Sequence, residues 1–227
     1  MLVAPSLSSE SVGLLKMRGQ SDQQIQAFSV LLDEANVQMD HDVSAKEVLS
    51  DMTADELRLV QKSVGLAGMI QVDSLSDEAA INLLAQPDKT GMVDLNNDGL
   101  VEVGAAKMMV FPPVNAPASV QRAWQEATEG MSEQDKMIME LHMHTAVFGV
   151  HIEGVSTAQA LPVDTQWGQD AIDQLFERLK SALEFSVALD GWDRFNLVKK
   201  DFYDKFEQAL ANANQGGENN RDRAANS

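Results

Sequence analysis

Cysteine is absent from this chain of 227 residues, which excludes a disulfide framework, a thiolate nucleophile and any cysteine-ligated zinc. Basic residues are scarce: 17 Lys and Arg stand against 35 Asp and Glu, a formal net charge of −18. Such a field repels phosphate backbones and anionic lipid surfaces, so nucleic acid is not an expected partner. No apolar run reaches the length that spans a bilayer, and residues 1–19 lack a basic start followed by an unbroken apolar stretch. The expected location is cytoplasmic by default, with export by a route that needs no cleaved signal as a second reading. Also missing are a Gly-x-Ser-x-Gly elbow, a Gly-rich phosphate loop, a His-Glu-x-x-His pair and a dinucleotide fingerprint. The expectation is a protein that binds and is not an enzyme.

What the chain does contain is helix. Its 44% hydrophobic content is enough for one sizeable core, or for a main domain with a smaller appendage. Ser21 with Gln24, Ser44 with Glu47 and Thr53 with Glu56 are capping-box pairs, each followed by apolar residues at helical spacing. Further helices are predicted after Ser76, over residues 116–128 and after Ser132, with a short extended piece at residues 70–72. Beyond Gly154 and Pro162, one helical face carries Ile172, Leu175, Phe176, Leu179 and Leu183. A second carries Phe195, Val198, Phe202, Phe206 and Leu210.

The predicted fold is mostly α: a multi-helix globular domain with one inserted calcium-type loop and a C-terminal helical hairpin. Its parts are a mobile arm over 1–20, a helical domain over 21–152 with the loop at 94–105, and a linker over 153–166. A hairpin over 167–210 and a disordered tail over 211–227 complete it. The hairpin must bury its aromatic stripe on the main body, on a second copy or on a protein partner, and a partner or homo-oligomer through this stripe is the expected interaction.

The narrowest chemistry lies in Asp94-Leu95-Asn96-Asn97-Asp98-Gly99-Leu100-Val101-Glu102. Side-chain oxygens alternate at Asp94, Asn96 and Asp98, a glycine follows where the chain must turn, and Glu102 stands three residues beyond. Such a segment can wrap a hard cation, and its irregular oxygen set suits Ca²⁺. A metal-free Asx turn is the other reading of the same residues.

The segment resembles the Asp-x-Asn-x-Asp-Gly loops of EF-hands, dockerins and integrin-type repeats over about a dozen residues. The resemblance implies a Ca²⁺ ligand set of Asp94, Asn96 and Asp98 side chains, the Leu100 carbonyl, and Glu102 directly or through water, with Gly99 in the left-handed turn. It departs from EF-hands at position 12, where Ala105 replaces the bidentate glutamate, and the exit Val101-Glu102-Val103-Gly104 is closer to the integrin-type loops. Glu78 or Asp88 is the carboxylate that would complete the shell from elsewhere.

Two other functions have residues to argue from. Leu141-His142-Met143-His144-Thr145 resembles the first metal motif of the amidohydrolase and polymerase-histidinol-phosphatase groups, implying a metal-dependent hydrolase using His142, His144 and His151. In a helix, however, residues two apart point about 200° from each other and cannot chelate together. A component exported by a flagellar or related secretion system is the third, suggested by the Ser-rich start and the missing cysteine.

Overall fold

The computed structural model describes residues 7–149 and 161–225, with backbone alone over 214–225. It is 66% helical, with ten helices and one two-stranded sheet among the described residues, the mostly α fold that the periodicity predicts. None of the described helices is long and apolar enough to cross a membrane. The chain forms two compact units, one of Met1–Leu95 with Leu100–Met108, the other of Asn96–Gly99 with Met109–Ser227.

The first unit begins with α1 (Ser9–Met17), α2 (Asp22–Asp40), α3 (Ala45–Asp51) and α4 (Ala54–Val64). All three capping boxes form: each Ser or Thr hydroxyl accepts from the amide three residues on, and that residue's side chain returns a bond to the cap amide. The Ser44 hydroxyl and then its amide hold the Glu47 carboxyl below its ordinary range, and Thr53 does the same for Glu56. A 3₁₀ turn at Val72–Ser74 replaces the predicted extended piece, its bond running from the Ser74 amide to the Gln71 carbonyl. Helix α5 (Asp77–Leu83) follows, and then a hairpin of β1 (Leu100–Val103) and β2 (Ala106–Met109).

The segment expected as a mobile arm is, over 8–17, a packed helix. Ser8 caps α1 by accepting from the Ser11 amide, while its own amide donates to Gln86 at 2.8 Å and its hydroxyl to Asp88. The Asp88 amide in turn donates to the Ser11 hydroxyl at 3.2 Å, and Leu15 is fully buried. The serines that suggested a loose start act as a helix cap and as a tether. Asp88, proposed as a loop carboxylate, is committed here, and these hydroxyls with Thr90 outweigh its burial to hold its carboxyl below the usual range.

The second unit holds α6 (Ala118–Thr128), α7 (Glu133–Phe148), α8 (Val163–Gln166), α9 (Gln169–Asp190) and α10 (Arg194–Ala225). Its core is aromatic. The Trp124 indole meets Phe111, Phe202 and Phe206 edge-on at centroid distances of 4.9, 5.3 and 6.0 Å, and Phe176 lies 5.9 Å from Phe206. Each such pair adds about 0.5–1.5 kcal/mol to the area it buries.

The hairpin expected as a separate part therefore belongs to the same compact unit as α6 and α7, because its stripe finds Trp124 within the chain. Phe202 and Phe206 of that stripe are covered within the chain. Phe185, Leu189, Trp192 and Leu197 stay exposed. Helix α10 continues past Leu210 through Ala225, where a disordered tail is expected; Ala211 and Ala213 favour that continuation. The expected linker lies outside the described residues up to 160, and Pro162 then sits just before α8.

Candidate functional site

Within the first unit, one face of α5 organises the chain on either side of the loop. Ser76 caps the helix by accepting from the Ala79 amide at 3.0 Å, and Glu78 and Asn82, four residues apart, share a face. Asn82 is fully buried, with both its N–H donors and its oxygen bonded. Its amide donates to the Val93 carbonyl at 2.8 Å and the Glu102 carbonyl at 2.9 Å, and its oxygen accepts from the Val93 amide at 2.7 Å. Glu78, 4% exposed, accepts from the Leu95 amide at 2.9 Å through one oxygen and from the Glu102 amide at 2.8 Å through the other.

Two further carboxylates of this unit act on Glu78. Burial pushes the Glu78 carboxyl up, the two amides oppose that, and the negative charges of Asp94 and Glu102 add to it. Asp94 is 2% exposed. Glu102 accepts from Lys107 at 2.6 Å and from the Ser76 hydroxyl, which hold its carboxyl below the ordinary range. Leu100 and Glu102 lie on β1, and Gly104 and Ala105 turn the chain back into β2. The exit from the loop is thus a β-hairpin and not the exiting helix of an EF-hand.

Asn96–Gly99 belongs to the second unit. The Asn96 side-chain oxygen accepts from the Asp98 amide at 3.0 Å, an Asx turn, while its amide donates to the Asp98 carboxylate at 3.1 Å. Asn97 is left-handed at φ 55°, and Asn115 donates to its side-chain oxygen at 2.7 Å. Gly99 is left-handed at φ 78°, and a Cβ there would stand 2.4 Å from Phe148 and 2.8 Å from His144 Nε2. The sequence singled out Gly99 for its turn; the close approach of two side chains is a second reason for glycine.

Among the described residues, no three His, Cys, Asp or Glu side chains form a group able to hold a metal ion. The loop's donors include only three acids, and the Glu102 carboxylate faces Lys107 and Ser76. The expected oxygen set therefore depends as much on Asn96 and the Leu100 carbonyl as on carboxylates.

The histidines of α7 diverge. His142 Nε2 pairs with the Tyr203 hydroxyl, and His144 Nε2 lies 3.0 Å from the Gly99 carbonyl. Burial, and then the Lys199 charge, push the His142 ring down, while burial pushes the Tyr203 phenol up. Both shifts have burial as their first cause. Two residues apart, His142 and His144 serve two different partners, as helical geometry requires. His151 lies outside the described residues.

Asn82 and Tyr203 escaped the sequence reading. Asn82 carries a signal: a lone amide among Ala79, Ala80, Ile81, Leu83 and Leu84 falls where the apolar stripe runs, so a buried polar role follows. Comparison with protein-family models, with characterised proteins and with solved structures returned no match.

Proposed function

We propose that this chain is a calcium-binding helical protein in which the ion has a structural role, acting by binding and not by catalysis. The observation that carries the reading is the alternation of Asp94, Asn96 and Asp98 ahead of a left-handed Gly99. An Asx turn alone needs one such oxygen, and this loop supplies three. The negative charges of Asp94 and Glu102 beside Glu78 add support, because a divalent cation offsets like charges held in a site of low polarity.

The proposed ligands are the side chains of Asp94, Asn96 and Asp98, the Leu100 carbonyl, and Glu102. Glu102 would contribute through a water, or directly once released from Lys107. The partner or homo-oligomer expected through the hairpin is part of this proposal, and Phe185, Leu189, Trp192 and Leu197 are the large apolar side chains left exposed there.

Without a twelfth-position carboxylate the affinity belongs at the weak end, with a dissociation constant of ~10⁻⁴ M. At about 1 mM Ca²⁺ such a site contributes RT ln 11, about 1.4 kcal/mol of stability. For a chain of this size that raises the thermal midpoint by about 3–6 °C. Differential scanning calorimetry in Ca²⁺ and in excess chelator measures the shift directly. Identical midpoints in the two buffers contradict the proposal.

A further inference from the structure

We infer that the solvent face of α9 around Phe185 and Leu189, with an acidic row beside it, is a docking surface for a basic amphipathic helix of another protein. The inference deepens the interaction part of the reading above and is independent of the calcium part. Leu175, Phe176, Leu179 and Leu183 of α9 are buried in the core of the second unit. Phe185 lies about 200° around the helix from Leu183 and is 68% exposed. Leu189, one turn on, is also 68% exposed, and Trp192 in the turn that follows is 54% exposed.

Single exposed apolar residues need no explanation, but large ones on successive turns of one face mark an interaction surface. Ala182 and Ala188, both exposed, stand on either side of Phe185 and leave room for the backbone of a facing helix. A helix with apolar residues at i, i+3, i+4 and i+7 would lay its stripe along this one.

Charge decides what kind of helix fits. Asp173, Glu177 and Glu184, at spacings of four and seven residues, run along one edge of the apolar face, and all three are exposed. Lys180 falls in the same row but is bound to Glu207 at 2.6 Å. Among the described residues none of the three acids forms a salt bridge. Arg178, two turns before Phe185, is an exposed cation in line with the stripe, and the three acids outweigh it. Lys and Arg flanking the apolar stripe of a partner helix complement this row. A second copy would instead bring another formal charge of −18 and another acidic row, and an anionic membrane repels the face for the same reason.

The test is the fluorescence anisotropy of two labelled synthetic helices titrated with the full chain, one carrying leucine on one face and lysine on the other, the second carrying glutamate in place of lysine. The leucine–lysine helix should bind the parent, and bind the Phe185→Ala, Leu189→Ala double variant at least about tenfold more weakly. The Glu177→Gln, Glu184→Gln variant should bind it more weakly and with a smaller salt dependence. All the replaced side chains are exposed, so circular dichroism should show each variant folded. If the double apolar variant does not fold, Trp192→Ala decides by the same loss of affinity. Equal affinity of the parent for both helices, or parent affinity in the apolar variant, overturns the inference. Sedimentation velocity on the chain by itself checks the second copy: self-association that the double variant abolishes overturns the inference while the interaction reading of the hairpin stands. Pelleting with phosphatidylcholine vesicles that the double variant abolishes overturns it in favour of a lipid surface. No binding of the leucine–lysine helix to the parent, with no self-association, removes both the inference and that interaction reading.

Discussion

Replacing Trp124 by alanine lowers the stability of the second unit by about 3–5 kcal/mol, the range for deleting a large buried aromatic. The indole is the hub of that core, edge-on to Phe111 from one side and to Phe202 and Phe206 of α10 from the other. Its removal opens a cavity between α6 and α10, and three aromatic pairs lose their common member. Those neighbours are themselves packed on Phe176, Met139 and Met143, so the space cannot close by the motion of one side chain. Urea unfolding followed by circular dichroism checks the loss, with Trp192→Ala as the comparison. Trp192 is exposed at the hairpin turn, and its replacement should change stability by less than about 0.5 kcal/mol. Equal losses from the two would show that the stripe is not covered within the chain.

Gly99→Ala has the second largest expected effect. An L-residue held in the left-handed region costs about 1–2 kcal/mol. The added methyl would also meet Phe148 at 2.4 Å and His144 Nε2 at 2.8 Å, too close for any real contact, so one or both side chains must shift. Overpacking of that kind costs about 1–3 kcal/mol, making about 2–5 kcal/mol in total. Gly130→Ala separates the contributions, since Gly130 is also left-handed at φ 77° and a Cβ added there would have nothing within 4 Å. Only the backbone cost is expected at that position. The difference between the two variants, read by denaturant unfolding, measures the close approach at Gly99; no difference would contradict it.

Helix starts were the most legible feature of this sequence. A capping box is a local interaction between residues three apart, so Ser21, Ser44 and Thr53 needed no tertiary information to be read, and Ser76 and Ser132 are equally local as simple N-caps. The aromatic stripe of α9 and α10 was legible as a stripe. What covers it was not, because burial of Phe206 against Trp124 joins residues 82 apart and periodicity carries no address. The N-terminal serines misled for a related reason. Ser8 and Ser11 are tied to Gln86 and Asp88, and without those distant partners they read as loose chain.

At the loop, spacing singled out Asp94, Asn96, Asp98 and Gly99, and Glu78 was named as a carboxylate from outside. Its bonds to the amides of Leu95 and Glu102 are a contact that spacing does not encode. The β-hairpin after the loop was half legible. Pro112 and Pro113 excluded a long exiting helix, and alternating Val101 and Val103, both buried on β1, suited a strand equally well.

The central claim is that the loop at 94–102 holds Ca²⁺. Isothermal titration of metal-free protein with CaCl₂, performed on the parent and on the Asp94→Ala, Asp98→Ala double variant, tests it most directly. The account predicts saturable heat with a dissociation constant of ~10⁻⁴ M in the parent and none in the variant. Equal heats from the two proteins, or no heat from the parent, would contradict it.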